Sequence, residues 1–174
     1  MRTQLIFFLA LVLFQACSPN YFVQNHLSPA YNKVARYKTI LVKPTLVSSQ
    51  PIQSEEAVNR CTFHLRTELS KKNFEALPTD KFEEACRARS FGGNGVVAES
   101  VALEAAKSLG ANVVVYSEIT TESIKGGLPL MATIRILNTA DGSELYSGKA
   151  RADNPVSLEA GLEFAVEKAL EGLK

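Results

Sequence analysis

Residues 109–122 read LGANVVVYSEITTE and residues 131–152 read MATIRILNTADGSELYSGKARA, with a KGGLP turn signal at 125–129 between them. The first stretch is dense in β-branched residues, which fit a pleated, packed surface, and it predicts a strand over 112–122. In the second, Asp141-Gly142 is a hairpin signal, because both residues tolerate the left-handed backbone of a tight turn. It predicts antiparallel strands over 131–138 and 144–152. Three sequential strands make a sheet the organising element of the fold.

Working outward, a helix over 97–109 ends at Gly110 and leads into the first of these strands. A helix over 155–173 follows the last, opened by Asn154 and Pro155. Its apolar stripe runs through Leu158, Leu162, Val166, Leu170 and Leu173 at helical spacing. Upstream, YKTILVKP at 37–44 predicts a buried strand broken by Pro44 and the SSQP stretch. Ser54, with Glu55 and Glu56 behind it, starts a helix carrying Val58, Cys61, Leu65 and Leu69 on one stripe. Asn73 stops that helix. Phe74–Leu77 is a short strand, and Asp80 and Glu83 have the spacing of a capping box for a helix to about Arg89. The order is β-α-β-α-α-β-β-β-α. The expected fold is an α/β sandwich, with a mixed sheet of about five strands and helices packed on one face.

The chain has 174 residues, 46% hydrophobic and 21% charged, which fits one globular domain plus appendages. Its N-terminus, MRTQLIFFLALVLFQAC, has one positive charge at Arg2 and an unbroken apolar run from Leu5 to Phe14. The run is too short for a transmembrane helix, which needs about 20 residues, and has the form of an export signal over 1–16. LFQAC at 13–17 resembles the lipobox of bacterial lipoproteins. Ala16 and Cys17 match it, Leu13 lies one place further out than the usual leucine, and Phe14 and Gln15 are atypical. The resemblance implies cleavage before Cys17 and acylation of that cysteine, which becomes the membrane anchor. Several acyl chains on one residue exceed what stable anchoring requires. Ser18, where an aspartate commonly retains lipoproteins at the inner membrane, implies the outer membrane. A plain signal peptide with an incidental cysteine is the competing reading. Residues 17–36 contain two prolines and no sustained period, and read as a lipidated N-terminus and tether, although Tyr21, Phe22 and Val23 have the character to dock. Residues 37–174 form the single αβ domain.

Leu109-Gly110-Ala111 before a hydrophobic strand, and Asp141-Gly142 in the following hairpin, carry a further resemblance. The pattern is similar to the αβ domain of envelope lipoproteins related to the curli-secretion channel family. The N-terminal domain of the Tol-Pal translocation protein and the lipoprotein activators of penicillin-binding proteins share that architecture. The glycine often found where Tyr116 or Ser117 stands is missing here. The resemblance implies a non-enzymatic interaction module and transfers no catalytic residue.

The residues offer little chemistry of their own. Beyond Arg2, 18 basic residues balance 18 acidic ones, so nothing argues for nucleic acid, which calls for clustered Lys and Arg. Cys61 and Cys86, an even pair in an exported protein, invite a disulfide; two buried free thiols are the alternative. No CxxC or HxxxH spacing suggests a metal, and no cofactor is called for. His64, three residues after Cys61 on the same helix, reads as a structural histidine, and His26 lies in the tether. SFGGNG at 90–95 lacks the Lys-Ser/Thr of a phosphate-binding loop and reads as a plain loop, with Arg87 and Arg89 as a solvated basic spot beside it. The expected function is a lipid-anchored scaffold or interaction lipoprotein with an envelope protein partner, its oligomeric state open. A periplasmic hydrolase and a ring or pore component are the alternatives. A deep pocket with a convergent titratable cluster would favour the enzyme, and a flat or edge-strand surface the interaction module.

Overall fold

A computed structural model describes residues 21–33, 35–48, 54–89, 98–121, 129–153 and 155–173. The elements are β1 (Tyr21–Leu27), β2 (Tyr37–Leu41), β3 (Thr45–Ser48), α1 (Ser54–Ser70), β4 (Phe74–Ala76), α2 (Thr79–Arg89), α3 (Glu99–Ser108), β5 (Val113–Thr121), β6 (Leu130–Asn138), β7 (Glu144–Ala152) and α4 (Leu158–Ala169). The α/β sandwich with a mixed sheet is as expected. The sheet has seven strands in the order β1-β7-β6-β5-β2-β4, with β3 also on β5. β2 and β3 run parallel to β5, whereas β6 and β7 form an antiparallel meander from it and β1 closes the far edge antiparallel to β7.

Two strands lie where none was expected. Pro44 does break β2, but the chain resumes along the same edge of β5 as β3, pairing Thr45 with Glu118 and Ser48 with Thr121. The sheet also begins inside the stretch read as a tether: Tyr21–Leu27 pairs along β7, Tyr21 opposite Ala152 and Leu27 opposite Tyr146. The link that follows is docked too. Tyr31 stacks on Tyr37 with centroids 5.7 Å apart, and Tyr37 on Phe74 at 5.0 Å. The amide of Asn32 donates to the Tyr37 hydroxyl at 2.9 Å.

The expectation of helices on one face is corrected. Alternate residues of a strand point to opposite faces, and β5 is packed on both. Val113, Val115 and Ile119 join a core with Cys61, Leu65 and Leu69 of α1 and Leu162, Ala165, Val166 and Ala169 of α4. Val114, with Ile40 of β2, joins a second core with Phe82 and Cys86 of α2 and Ala102, Ala105 and Ala106 of α3. The α3 stripe is almost all alanine, so its backbone lies close to the sheet. No alternation reveals this from sequence, because a strand buried on both faces reads as a continuous apolar run.

Turn chemistry follows the residues. Asn73 ends α1 with φ +64°, and Gly110 and Gly142 adopt φ +75° and +74° in the turns that the sequence marks. In the hairpin, the Asp141 carboxylate accepts from the Ser143 amide at 3.0 Å and from its hydroxyl at 2.7 Å. α4 starts later than expected. Ser157, not Asn154, caps it, its hydroxyl accepting from the Ala160 amide at 3.1 Å. α1 and α4 run side by side, tied by the Arg60–Glu159 ion pair and by Lys72 Nζ donating to the Leu173 carbonyl at 2.7 Å.

Candidate functional site: an open sheet face

Directly opposed cross-strand residues share a face, so the pairing register writes the surface out in rows. One row runs Phe22–Arg151–Met131–Thr120–Val47 across β1, β7, β6, β5 and β3. The next runs Gln24–Lys149–Thr133–Glu118–Thr45, and the third His26–Ser147–Arg135–Tyr116. All three lie on the face of α2 and α3. Those helices cover Ile40, Val114 and Tyr116, and among the described residues no helix covers the first two rows or the β1–β7–β6 part of the third. Their side chains are exposed or half-buried throughout. The same strands are sealed on the other face, where Ala132, Ile134 and Ala150 are fully buried under α4. Half the sheet therefore has one dry face and one open face. β1 ends the strand order, so among the described residues its outer edge carries no further strand.

The open face is polar with apolar inserts. Arg135 bridges Glu144 at 2.9 Å and Glu99 of α3 at 3.3 Å, which pins the α3 N-terminus to the sheet. Burial by itself would raise the Glu144 carboxyl, but hydrogen bonds from Arg135 and Ser147 and the charges of Arg135 and His26 bring it below its usual range. Beside this cluster the Tyr116 hydroxyl is buried without a hydrogen-bond partner. Its burial, reinforced by Glu99, pushes the phenol up to about 12. At the first row lies a shallow dent of about 40 Å³, lined by Thr120, Pro129, Met131 and Arg151. That is far below the ~300 Å³ at which ligand pockets begin.

The residues singled out by sequence do not assemble into chemistry. Cys17 and the SFGGNG loop at 90–95 lie outside the described residues. Cys61 and Cys86 are buried thiols without a disulfide, in the two cores on opposite faces of the sheet. The disulfide expected between them is thus corrected: bridging needs Cα atoms within about 7 Å, and the sheet stands between these two. Helix periodicity makes each cysteine face a core, but does not say that there are two cores. Burial pushes the Cys61 thiol up to about 12, against the opposing pull of the nearby Ser117 hydroxyl. A thiol held neutral is a poor nucleophile. His64 sits edge-on to Phe63 with ring centroids 5.6 Å apart. Arg87 and Arg89 donate back to the Glu83 and Ala85 carbonyls at 3.4 and 3.0 Å, ending their own helix. His26, placed by sequence in the tether, stands on β1 in the third row. Among the described residues, no three or more His, Cys, Asp or Glu side chains are grouped to hold a metal, and no helix is long and apolar enough to cross a membrane. Both thiols are expected to resist alkylation in the folded mature protein and to react in denaturant, with peptide mapping under non-reducing conditions finding no Cys61–Cys86 link. Recovery of that linked peptide would overturn the two-core assignment.

Fold and surface together define a class: an αβ sandwich with one fully covered flank and, among the described residues, one open, edge-exposed flank. Solved structures share the fold at low identity. PelC from Paraburkholderia phytofirmans, described as a dodecamer, is 16% identical, with 88% of this chain and 96% of that chain covered and a TM-score of 0.57. The C-terminal domain of LpoB from Salmonella enterica is 15% identical over 68% of this chain and 83% of that chain, with a TM-score of 0.54. The lipoprotein GNA1162 from Neisseria meningitidis is 17% identical over 68% and 81%, with a TM-score of 0.51. Identities this low establish the fold alone. No protein-family model matches the sequence, and no curated protein matches it at a significant level.

Proposed function

We propose that the chain is a lipid-anchored lipoprotein of the bacterial envelope, held at the outer membrane through Cys17, whose αβ domain acts without catalysis by docking a protein partner. The observation that carries this is the open half of the sheet with β1 as its free edge. An edge strand offers unpaired backbone donors and acceptors to an incoming strand, and alternate side chains beside it confer specificity. The mixture of Phe22 and Met131 with Lys149 and Glu118 suits a partner surface that is partly apolar and partly charged. The lipobox resemblance of Ala16-Cys17 supports the anchor. The fold shared with LpoB, an activator lipoprotein of penicillin-binding proteins, and with the lipoprotein GNA1162 supports an envelope interaction role.

The test places a photo-crosslinking residue at Gln24, His26 or Lys149 in cells, with Arg66 on the exposed side of α1 as reference. A specific adduct from the first three positions and none from Arg66 is expected. Equal yields everywhere would sink the docking surface. Cys17→Ala is expected to move the protein from the membrane to the soluble fraction, and retention at the membrane would remove the anchor. A second reading has its own motivation, since PelC is described as a dodecamer and matches along nearly its whole length. In that reading the partner is another copy of the chain, and the adduct has twice the protomer mass.

A further inference from the structure

The strand pairing of β1 changes how far this domain can stand from a membrane. Had residues 18–36 been a free tether, the domain would hang tens of ångströms away, at roughly 3.3–3.6 Å per extended residue. With Tyr21 already locked opposite Ala152, only Ser18, Pro19 and Asn20 separate Cys17 from the sheet. Four steps of chain reach about 14 Å at full extension, against a headgroup layer of about 5–8 Å on each side of the hydrocarbon.

The anchored end of the sheet is well defined. It is where β1 begins, β5, β3 and β7 finish and β6 starts, as the pairs Tyr21–Ala152, Leu130–Ala152, Thr121–Leu130 and Ser48–Thr121 show. The turn from β7 into α4 lies at the same end. Apolar side chains gather there: Val156 in that turn is 97% exposed, Phe22 is 50% exposed and Val47 49%. Phe22 and Val47 bracket the first row of the open face, and Met131 lies between them. Large apolar groups left in water beside a lipid anchor suit an interface in which they leave water. The opposite end is the polar hairpin tip at Asp141 and Gly142, about 30 Å away along nine-residue strands.

We infer that this end of the sheet, bearing Phe22, Val47 and Val156, rests on the bilayer surface, so that the strands stand on end and the open face is presented sideways. The inference rests on the proposed acylation of Cys17. Its consequence is that β1 acts as a rigid mount. A partner meets the free edge and open face within one domain length of the membrane, in a fixed orientation.

The chain contains no tryptophan, so a single introduced one is a clean reporter. The mature protein as purified from the cell envelope, carrying Val156→Trp, Phe22→Trp or Ala140→Trp, is reconstituted into phosphatidylethanolamine–phosphatidylglycerol vesicles whose acyl chains are brominated near the headgroup. All three sites are exposed, so folding is expected to be unaffected. Tryptophan at 156 and 22 is expected to be blue-shifted and to lose emission to the bromines, while at 140 it keeps the emission seen in unbrominated vesicles. Flotation separates the two ways of failing. Protein that floats with the vesicles but shows position 156 and position 22 as unquenched as position 140 overturns the end-on contact and leaves the anchor standing. Protein that does not float overturns the acylation of Cys17, and this orientation with it.

Discussion

Gly148→Ala is expected to cost about 1–3 kcal/mol in packing strain alone, although its replacement adds only one methyl group, on the side of β7 opposite the open face. Gly148 sits on the sealed face of β7, where a Cβ would run into the backbone carbonyl of Ala169 on α4 and approach the Tyr146 hydroxyl to 2.7 Å. That hydroxyl is fully buried and donates to the Ala169 carbonyl at 2.6 Å. The glycine, the tyrosine and the last turn of α4 thus form one close contact between helix and sheet. If the new methyl displaces the hydroxyl, the carbonyl is left unsatisfied, adding about 1–3 kcal/mol. For a domain of this size each kcal/mol lowers the melting midpoint by about 2–4 °C. Tyr146→Phe separates the two effects, since it removes the hydrogen bond and leaves the packing. Thermal unfolding followed by circular dichroism should rank Gly148→Ala at least as damaging as Tyr146→Phe. A Gly148→Ala protein that melts with the parent would show that α4 docks elsewhere.

Leu162→Ala is expected to cost about 2–5 kcal/mol, a large share of the stability of one domain. Leu162 is fully buried, together with Ala165, Val166, Ala169 and Leu170 along α4. α4 packs on α1, β6 and β7 at once, so the cavity left by the lost side chain lies between three rigid neighbours and is slow to collapse. The drop in midpoint should appear in the isolated protein, with no partner present. A Leu162→Ala variant that keeps its midpoint and loses the crosslinked adduct would instead make this stripe an interface.

The stripe of α4 was legible because an amphipathic helix writes its buried face into the sequence at regular spacing. The same holds for α1, for the β5–β6–β7 meander and for the Asp141-Gly142 turn, whose geometry depends on residues in the turn itself. β1 was not legible in that way. YFVQNHL lies between two prolines, shows no sustained period and becomes a strand only through β7, which arrives more than a hundred residues later. β3 was hidden by Pro44 and by the polar run that follows, because the proline interrupts the ladder without redirecting the chain.

The candidate site was the least legible part. Gln24, His26, Thr133, Arg135, Lys149 and Arg151 have no shared motif and no regular spacing. Only the register of three strands, β1, β7 and β6, places them on one surface. By itself the sequence determined the α/β class, the meander and the helix stripes, since each depends on contacts between near neighbours in the chain, and it carries the lipobox-like pattern at 13–17. The tertiary structure decided that Tyr21–Leu27 pairs along β7, that helices cover both faces of β5, that Cys61 and Cys86 are kept apart, and which half of the sheet stays open among the described residues. Those outcomes follow from which strand pairs with which, and pairing is a long-range choice governed by the burial of whole faces.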